Sequence, residues 1–207
     1  MEQHGTFENY FHYKSRLIRH ADEKTAVILN IDAPLIEGLI EKTNGDVFTA
    51  GIEKDASIGI EAIDLSTGFA KFNYVVRRAH HSERWSLEPM VLPIQLEVAG
   101  YHSVLNAMIA ITYGLLEGVD GAVIQKAIQN FSGVERRFEL IYNKEYMILD
   151  DHFANEKNIA VTLETLCHME YKDLHLLYAV RGGRGAELNR DNALEMVKCT
   201  SFHLRPL

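Results

Sequence analysis

Lys14 is the residue whose type and place in the pattern could do the most chemistry. It lies on the stripe that Phe7, Tyr10, Phe11, Leu17 and Ile18 mark out at helical spacing. Either its stem snorkels along the edge of that stripe with the ammonium in water, or the amine is desolvated. Burial lowers an ammonium's pKa, and a neutral amine can add carbon dioxide. The resulting carbamate is an anionic oxygen ligand for a hard cation such as Mg2+. Periodicity leaves both readings open. Further along, Arg181-Gly182-Gly183-Arg184-Gly185 could bring backbone amides and two guanidiniums to an anion at a strand-to-helix turn, although glycines at such turns also serve backbone geometry alone. His80-His81 with Glu83 and Trp85 lacks a second ligand pair at a diagnostic spacing and reads as a solvated loop. Cys167 and Cys199 form no C-x-x-C motif and read as reduced core thiols.

The elements that would position these groups alternate. Thr6 can cap a helix running to about Ala21, Ala26 to Ile31 reads as a buried strand, and Pro34 opens a helix carrying Leu35, Ile36, Leu39 and Ile40. Asn44-Gly45 is a turn before the strand Val47 to Ala50. From Ser57 to Val98 short strands at 58–62, 72–76 and 91–98, broken by Ser66-Thr67-Gly68, suggest a small antiparallel insert. Helices at about 102–116 and 121–130 lead into a connector at 133–137, with a domain boundary near Arg136. Beyond it come strands 138–142 and 146–149 around Asn143-Lys144, a helix at 156–168, a buried strand at 174–180 and a helix at 190–198. The fold class is therefore α/β, divided into residues 1–135 and 136–207. The second part is small for a fold that must cover both faces of a parallel sheet, and is expected to be cut at its C-terminus.

A chain of 207 residues with 47% hydrophobic content can bury a substantial core. Its formal net charge of -8, with acids and bases interspersed, argues against nucleic acid or an anionic membrane surface as the main partner and favours small molecules. No apolar run approaches the ~20 residues of a membrane span, and Met1-Glu2-Gln3-His4 has no signal-peptide character, so a cytoplasmic protein is expected.

His4-Gly5-Thr6-Phe7-Glu8-Asn9-Tyr10 followed by Lys14 resembles the H-G-x-x-E-x-Y-x-x-x-K segment in the central domain of the Mur ligases, most closely the tripeptide-forming members. Three later segments are similar to the same family in the same order. Asn30-Ile31-Asp32-Ala33-Pro34 resembles N-x-D-D-P, with Ala33 in place of the second acid. Gly100-Tyr101-His102-Ser103-Val104-Leu105-Asn106-Ala107 resembles G-x-H-N-x-x-N-A, with Ser103 in place of the first asparagine. Gly133-Val134-Glu135-Arg136-Arg137-Phe138-Glu139 resembles the linker between the central and C-terminal domains, and Asp150-Asp151-His152-Phe153-Ala154-Asn155 the loop that follows.

The resemblance implies a partial P-loop-type central domain followed by an incomplete Rossmann-like C-terminal domain. It implies Lys14 as a carbamate helping to hold Mg2+, and Arg137 reaching nucleotide phosphate. Asp151 is then the acid nearest the nucleotide, with His102 and Asn106 as neighbours of that site. Without the family, Asp151 reads as a turn or capping residue, Arg137 as a hinge arginine paired to a surface acid, and Asn106 as a helix-packing residue. His4 is expected to be structural, the family's metal histidine lying just upstream of it. The implied activity is ATP-dependent joining of an amino acid to a UDP-sugar peptide carboxylate through an acyl phosphate, in peptidoglycan precursor synthesis. No G-x-x-G-K-[ST] phosphate loop is present, so activity of this piece is not implied. A ligase resembling folylpolyglutamate synthetase, or a truncated non-catalytic binding module, are the alternatives.

Overall fold

A computed structural model describes residues 5–53, 55–66, 69–152, 155–167, 169, 171–180 and 185–200. The chain divides into two compact units, each drawing on three stretches of sequence. Unit 1 takes Met1–Ala62, Phe72–Pro93 and Leu105–Gln125, and unit 2 takes Ile63–Lys71, Ile94–Val104 and Lys126–Leu207.

In unit 1, Thr6 Oγ1 accepts the Asn9 N–H at 3.2 Å and starts helix α1 (Phe7–Lys14). The single helix expected to reach Ala21 instead breaks at Ser15, before a short α2 (Arg16–Arg19). Ser15 Oγ donates to His12 O at 3.2 Å, and Arg19 Nη2 donates to the same carbonyl at 2.7 Å, so side chains take over a backbone acceptor at the break. The break also turns the expected stripe aside. Phe11 and Ile18 pack on the core, whereas Phe7, Tyr10 and Leu17 are exposed.

Strand β1 (Ala26–Asn30) pairs in parallel with β2 (Asp46–Ala50), from Ala26 opposite Asp46 to Asn30 opposite Ala50. Pro34, with no N–H to leave unpaired, opens α3 (Pro34–Glu37). Gly38 then ends that helix, and a separate 3-10 turn (Ile40–Lys42) follows where one longer helix was expected. Val27, Leu29, Ile31 and Leu39 close with Ala21 and Ala56 into the core of this unit.

The sheet continues through β3 (Ile58–Asp64), β4 (Phe69–Val76) and β7 (Met90–Ala99) in the order β1-β2-β3-β4-β7, so the strands expected in an insert extend the same sheet as the parallel pair. Ala50 pairs with Ile58 in parallel, while the Arg77 N–H donates to Ser57 O at 2.8 Å, joining the end of β4 to the start of β3 as an antiparallel reversal requires. A side hairpin, β5 (His80–His81) with β6 (Ser86–Leu87), precedes β7. Helices α4 (Tyr101–Leu116) and α5 (Gly121–Gln129) follow. Thr112 donates its hydroxyl proton to Met108 O at 2.8 Å, so the buried Tyr74 phenol is the donor in its 2.9 Å bond to Thr112 Oγ1.

In unit 2, β8 (Glu139–Asn143) and β9 (Met147–Asp150) form a two-stranded antiparallel sheet with Tyr142 stacked on Tyr146. Asn155 Oδ1 caps α6 (Glu156–Cys167) through the Asn158 N–H, and α7 (Ala186–Thr200) follows. Ala99, Phe138, Ile159, Leu163, Leu166 and Met196 form its core.

Two expectations fail here. Residues 174–180 are neither strand nor buried. Leu174, Leu176, Leu177 and Val180 are exposed, and only Tyr178 packs on the core, its hydroxyl accepting from Asn192 Nδ2 at 3.0 Å. An apolar run becomes a strand only where a neighbouring strand accepts its backbone groups, and among the described residues none pairs with it. Cys167, expected in a core, is exposed at the end of α6; its partial desolvation, and then Glu164, raise the thiol's pKa. The Cys199 side chain lies outside the described residues.

Candidate active site

Gly100 joins β7 to α4 at φ +97°, a conformation open to glycine and strained for other residues. A Cβ there would fall 2.7 Å from Cε1 and 2.9 Å from Nδ1 of His102, and 3.5 Å from Thr165 Oγ1. The missing side chain is what lets the imidazole lie against the backbone. His102 Nδ1 is buried and has no hydrogen-bond partner among the described residues. Desolvation lowers the pKa of this histidine, the nearby Asp151 charge opposes the shift, and the Arg137 guanidinium reinforces it. The ring is therefore biased toward its neutral form, and the charges of Asp151 and Arg137, all three residues lying in unit 2, act on it in opposite directions.

Arg137 stands in a connector with unusual backbone. Arg136 and Phe138 on either side of it have φ of 60° and 49°. Each such residue costs about 1–3 kcal/mol and persists only where its surroundings hold it. Three acids do so. Glu139 Oε2 accepts the Arg136 N–H at 2.8 Å, and Asp150 Oδ2 lies 3.7 Å from Arg136 Nε. Asp151 Oδ1 accepts the N–H groups of Phe138 at 3.2 Å and His152 at 2.7 Å, while its Oδ2 accepts the Thr162 hydroxyl. Hydrogen bonds to a charged acceptor contribute about 1.5–3 kcal/mol each, enough to offset the strain. The Arg137 side chain is exposed and takes part in no ion pair among the described residues.

The other expected residues lie as follows. Asn106 is exposed on α4, one helical turn beyond His102, and so does not serve helix packing. Ser103 is buried and donates to Ala99 O at 2.8 Å, tying off the first turn of α4. Lys14 is exposed at the end of α1 in unit 1, its ammonium 5.7 Å from the centroid of the Tyr10 ring. No group of three or more His, Cys, Asp or Glu that could hold a metal occurs among the described residues. His4, Phe153, Ala154 and 181–184 of the glycine-rich segment lie outside the described residues.

Two side-chain groupings escaped the sequence reading. Asp32, after β1, accepts the N–H groups of Ile52 at 2.7 Å and Glu53 at 3.2 Å, fixing the loop beyond β2. His80, read as part of a solvated loop, instead sets Nε2 2.7 Å from Asp46 Oδ1 and rests on the Phe48 ring with centroids 4.3 Å apart. Neither pairing leaves a signal at local spacing, because each joins groups 20 or more positions apart.

Residues 1–114 match the family model described as the Mur ligase middle domain. The UDP-N-acetylmuramate–L-alanine ligase of Psychrobacter arcticus is 34% identical over 64% of this chain and 27% of its own length. The UDP-N-acetylmuramoyl-L-alanyl-D-glutamate–2,6-diaminopimelate ligase of Clostridium botulinum is 25% identical over 89% of this chain and 36% of its own. The chain thus spans about a third of the length of such relatives. In three dimensions, the MurF ligase of Thermotoga maritima in complex with ADP aligns with a TM-score of 0.63 at 16% identity, over 79% of this chain and 35% of that one. At that identity the likeness shows the fold, which is mixed α/β.

Proposed function

Because this chain belongs to the Mur ligase family, we propose that it is part of an ATP-dependent ligase that joins an amino acid to the carboxylate of a UDP-N-acetylmuramoyl-peptide-like substrate. ATP would supply the phosphoryl group that activates the carboxylate as an acyl phosphate, which the amine then attacks. Residues 1–135 would be its central domain and 136–207 part of its C-terminal domain.

The observation that carries the reading is the exposed guanidinium of Arg137, which makes no ion pair among the described residues and whose charge acts on His102. A planar, permanently charged fork suits a polyphosphate, and His102 held neutral places no competing charge next to it. Asn106, on the same helix as His102, offers amide donors and an acceptor for a nucleotide base or sugar. Asp151 serves the same site from the connector side.

Lys14 as a carbamate would offer one anionic oxygen to Mg2+, but no group of three or more His, Cys, Asp or Glu that could complete a metal site occurs among the described residues. Exposure of the amine also makes any carbamate readily hydrolysed.

Calorimetric titration of the 207-residue chain with Mg-ATP tests the reading. Arg137→Ala should weaken binding by roughly 10- to 100-fold, as expected for loss of a charge-assisted bond. Equal affinity of the two proteins would refute phosphate binding by Arg137. Binding without ligation in an amino-acid incorporation assay would favour the alternative of a non-catalytic binding module.

A further inference from the structure

We propose that the open edge of β1 is a self-association surface, on which two copies of this chain pair antiparallel about a two-fold axis through Ile28. The proposal stands apart from the reading of Arg137, since β1 lies in unit 1.

β1 is the last strand on one side of the five-stranded sheet, and β7 is the last on the other. The two edges are built differently. β7 carries Pro93 and an exposed Glu97, devices that keep a sheet edge from recruiting another strand. Ala26-Val27-Ile28-Leu29-Asn30 has no proline, no charge and an unbroken register with β2. The two ends of the strand fix which way its backbone groups point. Thr25 O accepts the Asp46 N–H and the Ile31 N–H donates to Ala50 O, both at 2.9 Å, so the odd-numbered residues address β2. The N–H and C=O groups of Ala26, Ile28 and Asn30 therefore point outward, and none of them has a partner among the described residues.

A second copy satisfies all of these groups in one register. With Ile28 opposite Ile28 of the other copy, Ala26 stands opposite Asn30, and each pair is of the kind that exchanges both hydrogen bonds in an antiparallel ladder. The same register sets Lys24 of each copy opposite Asp32 of the other, so opposite charges meet at both ends of the ladder. Lys24 is exposed, and Asp32 is held at its end of β1 by accepting the Ile52 and Glu53 amides. Ile28, half-buried on the face away from Val27 and Leu29, gains an apolar neighbour. The contact is short, and the formal charge of -8 on each copy opposes it. The dimer is thus a weak one, with a dissociation constant of roughly 10–100 µM.

Sedimentation equilibrium of the 207-residue chain tests this. Between roughly 1 µM and 1 mM the mass should rise from the 23.5 kDa of one chain toward twice that value and stop there, because a two-fold pairing uses up the edge. Hydrogen exchange carries its own control. The outward Ile28 amide should exchange roughly four- to sixfold more slowly at about 1 mM than at about 20 µM, as mass action requires of such a constant, while the Leu29 amide, which addresses β2, should not change. Ile28→Pro removes the outward N–H and leaves the pairing with β2, so that variant should stay monomeric throughout. Lys24→Glu alters only an exposed side chain and should weaken the dimer roughly 3- to 10-fold. A parent chain still monomeric at about 1 mM overturns the proposal. So does an Ile28 amide that is slow at every concentration, which would mean that a segment of the same chain covers the edge. A dimer indifferent to both substitutions uses another surface and refutes the pairing, as does assembly beyond two copies. If Ile28→Pro fails to fold, the exchange ratio and Lys24→Glu still decide.

Discussion

Replacing Gly100 with alanine separates backbone strain from crowding at the site, because unit 2 holds its own control. Gly133 has φ +101°, close to the +97° of Gly100, but a Cβ there would meet Val98 at 3.5 Å, ordinary contact. Gly133→Ala therefore bears the conformational term alone, about 1–3 kcal/mol. Gly100→Ala bears the same term and also drives a methyl to 2.7 Å from His102 Cε1. Carbon atoms prefer about 3.5–4.0 Å, so the ring must retreat by about 1 Å. Crowding of this kind costs about 1–3 kcal/mol more. At about 2–4 °C per kcal/mol for a chain of this size, central values of about 2 and about 4 kcal/mol put Gly133→Ala roughly 4–8 °C below the parent and Gly100→Ala roughly 8–16 °C below it. The melt is best followed by the methyl resonance of Met196, a core residue of the same unit. The His102 ring supplies a second readout. Burial is the main cause of its lowered pKa, so displacement toward water should raise the midpoint. Equal melting losses in the two variants, with the midpoint unmoved, would refute the idea that Gly100 is glycine to seat this ring.

Other expectations follow from the same geometry. Burial pushes the Tyr74 phenol up to about 12, so the stability it supports is complete below its ordinary value of 10.0 and is lost as pH rises toward 12. The loss is roughly 3 kcal/mol and should vanish in the pH dependence of Tyr74→Phe unfolding. His102 runs the other way: with its folded pKa lowered, stability is present above its ordinary value of 6.5 and falls as pH drops below it, and His102→Gln should flatten that limb of a denaturation series. Asp32→Ala removes the acceptor for the Ile52 and Glu53 amides and should cost about 2 kcal/mol in urea unfolding, with faster exchange at both amides. A variant whose Ile52 amide exchanged at the parent rate would show that the loop is held by something else.

Much of the architecture can be read along the chain because its causes are local. The β1 strand is a short continuous apolar run from Ala26 to Leu29, Pro34 starts a helix, and the apolar surface of 101–116 is dense enough to be a helix wherever it packs. Periodicity shows which residues could be buried, and burial also needs a partner. That is why 174–180 reads as a strand but lies exposed, and why Leu17, in step with Phe11 and Ile18, is 86% exposed past the break at Ser15. The site divides along the same line. Gly100, His102 and Arg137 all stand in segments that resemble motifs. The left-handed Arg136 and Phe138 carry no signal at all, since neither is the glycine or asparagine that marks such positions. Asp151 was visible as an acid near the connector; that its oxygens face Phe138 and Thr162 depends on a tertiary arrangement that no spacing encodes.

The interleaving of the two units has a bearing on how the protein is made. Phe69 and Ala99 belong to a core that is completed by Ile159, Leu163 and finally Met196. On a ribosome working at about 5–20 residues per second, Phe69 would wait roughly 6–25 s before Met196 was even synthesised. Throughout that interval Phe69 and Ala99 lack the partners that complete this core. The nascent protein is thus a natural client for chaperones that shield exposed apolar segments, and slowing translation across α6 and α7 should lower soluble yield more than the same delay placed before β1.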